Sequence, residues 1–247
     1  MTKIRDLVNR PSRFEYVETP TAKSIMNLLD YCKVENDIGV IVGKPGVGKT
    51  TALKRNAMTG KAVKFCPMSP ALNSMGAMLK YLVETICYYH PEAQLHANHE
   101  HLMNVVEQSA VGMLIIDEAQ MLSDQIIDEL RCLYDHNNFP LIFCGNADFR
   151  SRFNNTKAAS FTQFTSRVGV RFDIDEPRDG DVEAICDSLR IDRSANTRKY
   201  ISEIAKSSGA LRIIGKIAKI AGRGIGENET IKLDQLKEAA KILGVQA

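Results

Sequence analysis

The run Gly43-Lys44-Pro45-Gly46-Val47-Gly48-Lys49-Thr50 restricts the possible folds of this chain more than any other stretch. Its glycines let the backbone curl so that successive N–H groups point inward, a shape that cradles phosphate oxygens. The curl belongs between a buried strand and the first turn of a helix, whose positive dipole end faces the same anion. The flanking residues meet that requirement: an apolar stretch ends at Gly43 and a helix begins at Lys49. In such a loop Lys49 reaches the β- and γ-phosphates of a nucleotide and the Thr50 hydroxyl holds Mg²⁺. The predicted binding segment comprises Gly43, Lys44, Pro45, Gly46, Val47, Gly48, Lys49, Thr50 and Thr51.

A loop of this kind needs a parallel sheet behind it, and the first two thirds of the chain alternate strand-like and helix-like segments. Asp37–Gly43, Ala62–Cys66, Gly112–Asp117, Phe139–Gly145 and Val168–Ile174 read as five strands, short and mostly continuous in apolar residues. That is the pattern of strands buried on both faces. Asp124–Asp135 is the clearest helix, with Ile126, Ile127, Leu130, Leu133 and Tyr134 on one face and Ser123 as its cap. After Pro177 the periodicity turns wholly helical over Asp181–Arg190, Thr197–Lys206, Leu211–Ala221 and Leu233–Leu243, with Gly209, Gly222 and Gly244 as expected helix stops. The expected division is an α/β nucleotide-binding domain over 1–177 and a small all-helical lid over 178–247.

Met113-Leu114-Ile115-Ile116-Asp117-Glu118 is a buried strand ending in two acids. Its geometry places Asp117 beside the metal, through water, and lets Glu118 orient and deprotonate an attacking water. Asn146 follows the strand Leu141–Gly145, expected between the first and third strands, where its amide bridges that water and the γ-phosphate; asparagine is also an ordinary turn residue there. Arg212 opens a lid helix and reaches the nucleotide from above, or is simply an exposed helical arginine.

Composition excludes little. The longest apolar runs, such as Ile38–Val42 and Val111–Ile116, are too short to span a bilayer, and Met1–Asp6 has no apolar signal core behind it. Six scattered cysteines without a Cys-x-x-Cys pair suit a reducing compartment, so a cytoplasmic location is expected. A net charge of +2 neither demands nor excludes nucleic acid. His96, His99 and His101 lack metal-site spacing, and Asp173-Ile174-Asp175-Glu176 reads as a solvated acidic strand end.

The phosphate loop, the Asp117-Glu118-Ala119-Gln120 strand end, Asn146 and the Gly209-x-x-Arg212 of the lid together resemble AAA+ ATPases. The Ile115-Ile116-Asp117-Glu118-Ala119-Gln120 wording is similar to the branch that holds the Mu B transposition ATPase of phage Mu and the target-selection ATPases of bacterial transposons. The resemblance runs over roughly Tyr16 to Leu243. It implies ATP and Mg²⁺ as cofactors, Lys49 and Thr50 as the Walker A pair, Asp117 and Glu118 as Walker B, Asn146 as sensor 1 and Arg212 as sensor 2. It also implies an arginine finger acting on a neighbouring subunit, at Arg167, with Arg171 and Arg152 as weaker candidates. Such a finger can raise hydrolysis by ~10³-fold or more, so assembly would control turnover.

The implied function is an ATP-dependent protein that assembles on duplex DNA without sequence preference, as a ring or helical filament, and presents that DNA to a transposase. One departure is expected: there is almost no room ahead of the P-loop domain for an amino-terminal helix-turn-helix, so DNA contacts fall to the core or lid. Lys64, Lys80, Arg150, Arg152 and Lys157, and the lid row Lys216, Lys219 and Arg223, are the residues available. Two other readings fit the same motifs: a helicase-loading ATPase of replication, and a nucleotide-gated protein-binding scaffold similar to ExeA.

Overall fold

The computed structural model describes residues 16–88, 90–108, 111–153, 159–207, 209–226 and 229–245. These residues divide into two compact units. One comprises Ser24–Lys44 and Lys49–Asp175; the other comprises the described residues up to Lys23, Pro45–Gly48, and the chain from Glu176 onward.

The first unit is a five-stranded parallel sheet, with strands β1 (Ile38–Gly43), β2 (Val63–Pro67), β3 (Met113–Asp117), β4 (Leu141–Gly145) and β5 (Val168–Ile174) in the order β2-β3-β4-β1-β5. The fourth strand does lie between the first and third. Burial follows position in the sheet: β1, β3 and β4 are buried at every residue, whereas edge strand β5 alternates half-buried and exposed residues along most of its length. A parallel sheet covered on both faces selects continuous apolar runs at its centre. The helices are α1 (Pro20–Glu35), whose first turn falls in the other unit, then α2 (Lys49–Thr59), α3 (Met75–Leu82), α4 (Leu95–Glu107), α5 (Asp124–Asn137), α6 (Ala147–Arg152) and α7 (Ala159–Thr165).

One core cluster joins Val40, Leu114, Ile116 and Phe143 to Met78, Leu82, Ile127 and Leu130 of α3 and α5. Phe143, Phe149, Phe161 and Phe164 belong to the same cluster and Phe153 packs against it; their rings meet edge-on, tilted or stacked, with neighbouring centroids 4.9–6.3 Å apart. Helix α5 starts where expected, because Ser123 adopts an extended backbone and its hydroxyl accepts from Ile126 N.

The second unit packs α8 (Asp179–Ser188), α9 (Ala195–Lys206), α10 (Ala210–Ala221) and α11 (Leu233–Ile242) around Ile201, Ile204, Ile214, Ile217 and Leu236. Gly244, at φ 67°, follows the end of α11 as predicted. Gly209 does something different from the helix stop assigned to it. It opens α10, at φ 97°, and its carbonyl accepts from Arg212 N and Ile213 N; the preceding helix ends at Ser207, whose N and Oγ both donate to Ile204 O. Gly222 stays right-handed and carries the chain into a short 3-10 turn.

Asp181 is the one fully buried carboxylate among the described residues. It accepts from Thr21 N at 2.7 Å, Thr21 Oγ1 at 2.6 Å and Arg178 N at 2.8 Å. This carboxylate therefore joins the start of α1 to the start of α8, 160 residues apart.

Candidate nucleotide site

Parallel pairing brings the C-terminal ends of β1, β3 and β4 to one edge. Val42 lies opposite Gly145, and Phe143 lies opposite Ile116, so Gly43, Asp117 and Asn146 emerge together. Ligands of open α/β sheets bind outside this edge, where the strand order reverses. Here the reversal is at β1, which has β4 on one side and β5 on the other.

The end of β1 is pinned by backbone. Lys44 N donates to Ile174 O, and a side chain at Gly43 would place its Cβ only 2.3 Å from that same oxygen. Lys49 heads α2, which is anchored through buried Ala52 and Leu53. Its Nζ turns back over the loop and donates to Gly43 O at 2.7 Å and Lys44 O at 3.0 Å. The amine is thereby held where phosphate oxygens would meet it. Gly46 and Gly48 have φ of 87° and 98°, the left-handed region that only glycine enters at no cost. At Gly46 space is limiting too: an added Cβ would lie 2.0 Å from Gly209 O, in the same unit.

Thr50 Oγ1 donates to Asp117 Oδ2 at 2.8 Å, and the other oxygen of that buried carboxylate accepts from Glu118 N at 3.0 Å. A hydroxyl and a carboxylate brought together at the sheet edge are hard oxygen donors of the kind that suit Mg²⁺. Cys144 lies beside them. Burial, reinforced by the Asp117 charge, pushes its thiol well above the usual thiol range. Burial likewise pushes Cys66 up to about 12 and Cys186 up to about 11. These thiols stay protonated and behave as small apolar groups.

Glu118 is exposed and left-handed, at φ 59°. A non-glycine residue there costs roughly 1–3 kcal/mol and is typical of functional turns. The turn throws its carboxylate clear of the strand, and Oε2 accepts from Gln120 Nε2 at 2.5 Å. Asn146 caps α6: its Oδ1 accepts from Asp148 N and Phe149 N, and its Nδ2 donates to Asp148 Oδ2 at 3.1 Å. The turn role and the location beside the site thus coexist in one residue, and its amide has a further N–H.

The arginines differ in how they are held. Arg167 is half exposed, with Nε 3.0 Å from Asp135 Oδ1. Arg171 forms a two-pronged pair with Asp173 and lies over the Phe153 ring. Arg152 donates to Leu122 O and Asp124 and packs on Phe149 and Phe161, while Arg150 pairs with Asp175. Arg150 and Arg152 are therefore engaged inside the sheet unit rather than displayed as free basic groups. In the helical unit Arg212 is exposed on α10. Lys64 lies 4.0 Å from the centre of the exposed Tyr88 ring, and Lys157 falls outside the described residues. His96 and His99 pair with Glu100 and Glu129. The contacts made by Gln120, Asp148 and Asp135 escaped sequence reasoning; only the two-residue spacings Glu118–Gln120 and Asn146–Asp148 hint at any of them.

Comparison with known proteins agrees with this geometry. Residues 33–153 match the AAA domain family, and residues 166–243 match the C-terminal domain family of the Mu B transposition protein. The "ATP-dependent target DNA activator B" of Escherichia phage D108 is 27% identical over 245 residues, covering 98% of this chain and 78% of that protein. The protein of the same name from Escherichia phage Mu gives the same figures. The Mu-like prophage FluMu DNA transposition protein B of Haemophilus influenzae is 24% identical, covering 85% of this chain and 72% of its own length. Among solved structures, the Aeropyrum pernix ORC2 protein superposes with a TM-score of 0.64 over 97% of this chain and 72% of that one. At 17% identity that likeness speaks for the fold alone. The P-loop, the acidic strand end and the helical C-terminal region thus match these two families in sequence order, which makes the chain similar to the AAA+ ATPases of the phage Mu B family.

Proposed function

We propose that this chain is an ATP-hydrolysing activator of target DNA for a transposase. It would bind duplex DNA without sequence preference and self-associate on it as a ring or filament, in the cytoplasm of a bacterial host. The observation that carries the reading is the succession of AAA and Mu B C-terminal matches along one chain, in a protein whose Thr50, Asp117 and Glu118 converge at one sheet edge. Among the described residues no helix is long and apolar enough to cross a membrane.

In this reading the segment from Gly43 to Thr51 holds the phosphates, with Lys49 exchanging its loop carbonyls for phosphate oxygens. Thr50 and Asp117 hold Mg²⁺, which would neutralise charge on the phosphates. Glu118 takes a proton from the attacking water, and Asn146 orients that water through its amide. Arg212 contacts the nucleotide from the lid, which is assigned to 178–247 as a domain separate from 1–177.

Arg167 is the preferred finger for a neighbour's site. Among the described residues its one ion pair, with Asp135, is partly exposed, and such pairs are worth only ~0–1 kcal/mol, so withdrawing it costs little. Arg152 would have to leave a backbone carbonyl, a carboxylate and two aromatic rings. Lys216 and Lys219 are exposed on α10, whereas Arg223 lies past its end in the short 3-10 turn Gly222–Gly224; α10 itself carries no acidic residue. Facing phosphates, such a row supplies affinity without reading bases.

The test is fluorescence anisotropy of a labelled random-sequence duplex titrated with protein in Mg²⁺, with ATP, ADP or no nucleotide. Tight, cooperative binding that requires ATP and ignores sequence is expected. Absence of binding in every nucleotide state would overturn the DNA-activator reading.

A further inference from the structure

We propose that Gln120 is a positioning residue for hydrolysis: its side-chain amide holds the Glu118 carboxylate in the orientation that the base requires. The inference rests on the reading of Glu118 as general base and adds to it a residue without an assigned role. Glu118 enters a left-handed turn immediately after β3, and Ala119–Met121 forms a 3-10 turn closed by Met121 N donating to Glu118 O and Leu122 N donating to Ala119 O. A left-handed residue followed by a tight turn folds position 120 back over position 118. Gln120 Nε2 consequently donates to Glu118 Oε2 at 2.5 Å.

The orientation of this amide is not arbitrary. A carboxylate only accepts, so the NH₂ end must face Glu118. Among the described residues the opposite end, Gln120 Oε1, is buried without a hydrogen-bond partner. That unpaired acceptor is a cost of this orientation, and the bond to Glu118, lost if the side chain rotated away, is what offsets it. The geometry therefore favours a fixed amide.

One consequence follows for the chemistry. With Oε2 engaged, Oε1 of Glu118 is the oxygen left to take a proton from water, so a carboxylate on an exposed turn acquires a defined reactive face. Asp117, the neighbouring acid, is engaged separately by Thr50 Oγ1 and Glu118 N, so the Gln120 contact acts on Glu118 alone.

The test is steady-state ATP hydrolysis by the full chain with Mg²⁺ and saturating duplex DNA, with ATP varied, for wild type, Gln120→Leu, Gln120→Glu and Glu118→Gln. For Gln120→Leu, kcat should fall roughly tenfold, part of the 10²–10⁴-fold a positioned base supplies, with KM for ATP unchanged. Gln120→Glu, which replaces the donor by a second carboxylate facing the first, should be the poorer variant.

A rise in KM for ATP with kcat unchanged in Gln120→Leu, or equal loss of kcat in both Gln120 variants, would overturn the positioning role. Glu118→Gln separates the two claims: if it still hydrolyses ATP at the wild-type rate, the base assignment itself is wrong. If it is inactive while Gln120→Leu matches wild type, only the Gln120 inference falls.

Discussion

Replacing Asp181 with alanine should cost the helical unit more than any other single polar change among its described residues. The carboxylate is fully buried and accepts three hydrogen bonds, from Thr21 N, Thr21 Oγ1 and Arg178 N, all at 2.6–2.8 Å. Alanine removes the acceptors and strands the donors. Thr21 is itself buried, so its amide and hydroxyl cannot turn to water, whereas the Arg178 amide is only partly covered. At roughly 1–3 kcal/mol for each buried donor left unpaired, the loss comes to about 3–5 kcal/mol.

That is a large part of the ~5–15 kcal/mol by which domains are stable. Asp181→Asn should lose about half as much, because its one remaining oxygen can serve Thr21 while its NH₂ group faces a donor. Thr21→Val should cost ~1 kcal/mol alone and almost nothing on top of Asp181→Ala, since the hydroxyl has by then no partner to lose. Urea unfolding followed by circular dichroism gives the energies, and hydrogen exchange at the Thr21 and Arg178 amides reports the contact directly. An Asp181→Ala protein within ~1 kcal/mol of wild type, with Thr21 exchange unchanged, would refute the reasoning.

Two further outcomes are expected. Gly46→Ala should weaken ATP binding about tenfold or more in titration calorimetry, since a left-handed alanine costs roughly 1–2 kcal/mol and its Cβ would lie 2.0 Å from Gly209 O; an unchanged Kd would contradict this. Lys216→Ala with Lys219→Ala should flatten the slope of log binding constant against log salt by about 2, at roughly 0.9 per phosphate contact, while a slope equal to wild type would remove α10 from the DNA interface.

The central strands β1, β3 and β4 were the most legible, because each is a short apolar run between turn residues and a parallel sheet buries such runs at its centre. The predicted Asp37–Gly43 and the observed Ile38–Gly43 differ by one residue, and Val168–Ile174 agrees at both ends. The phosphate loop was legible for a related reason. Its glycines, Lys49 and Thr50 act through local backbone shape, so their meaning travels with the sequence, and Ser123 as the cap of α5 belongs to the same class. Gly209 marks the limit of such local reasoning. A glycine between two helices signals a break, but whether it closes one or opens the next depends on which carbonyl the following amides reach.

Partnerships between side chains were decided by the tertiary structure. Asp181 finds Thr21 across 160 positions, Arg167 finds Asp135 across 32, and Arg152 turns to Leu122 and Asp124 rather than to solvent. A charged side chain carries no mark in sequence of the partner it will meet, since many surface positions would satisfy it equally well in the unfolded chain. Folding chooses among them by bringing distant backbones within a few ångströms. Sequence alone therefore determined that this chain has a P-loop sheet and a helical C-terminal region. The arrangement of Asp117 against Thr50, and of Glu118 under the amide of Gln120, was settled only when packing fixed the distances between them.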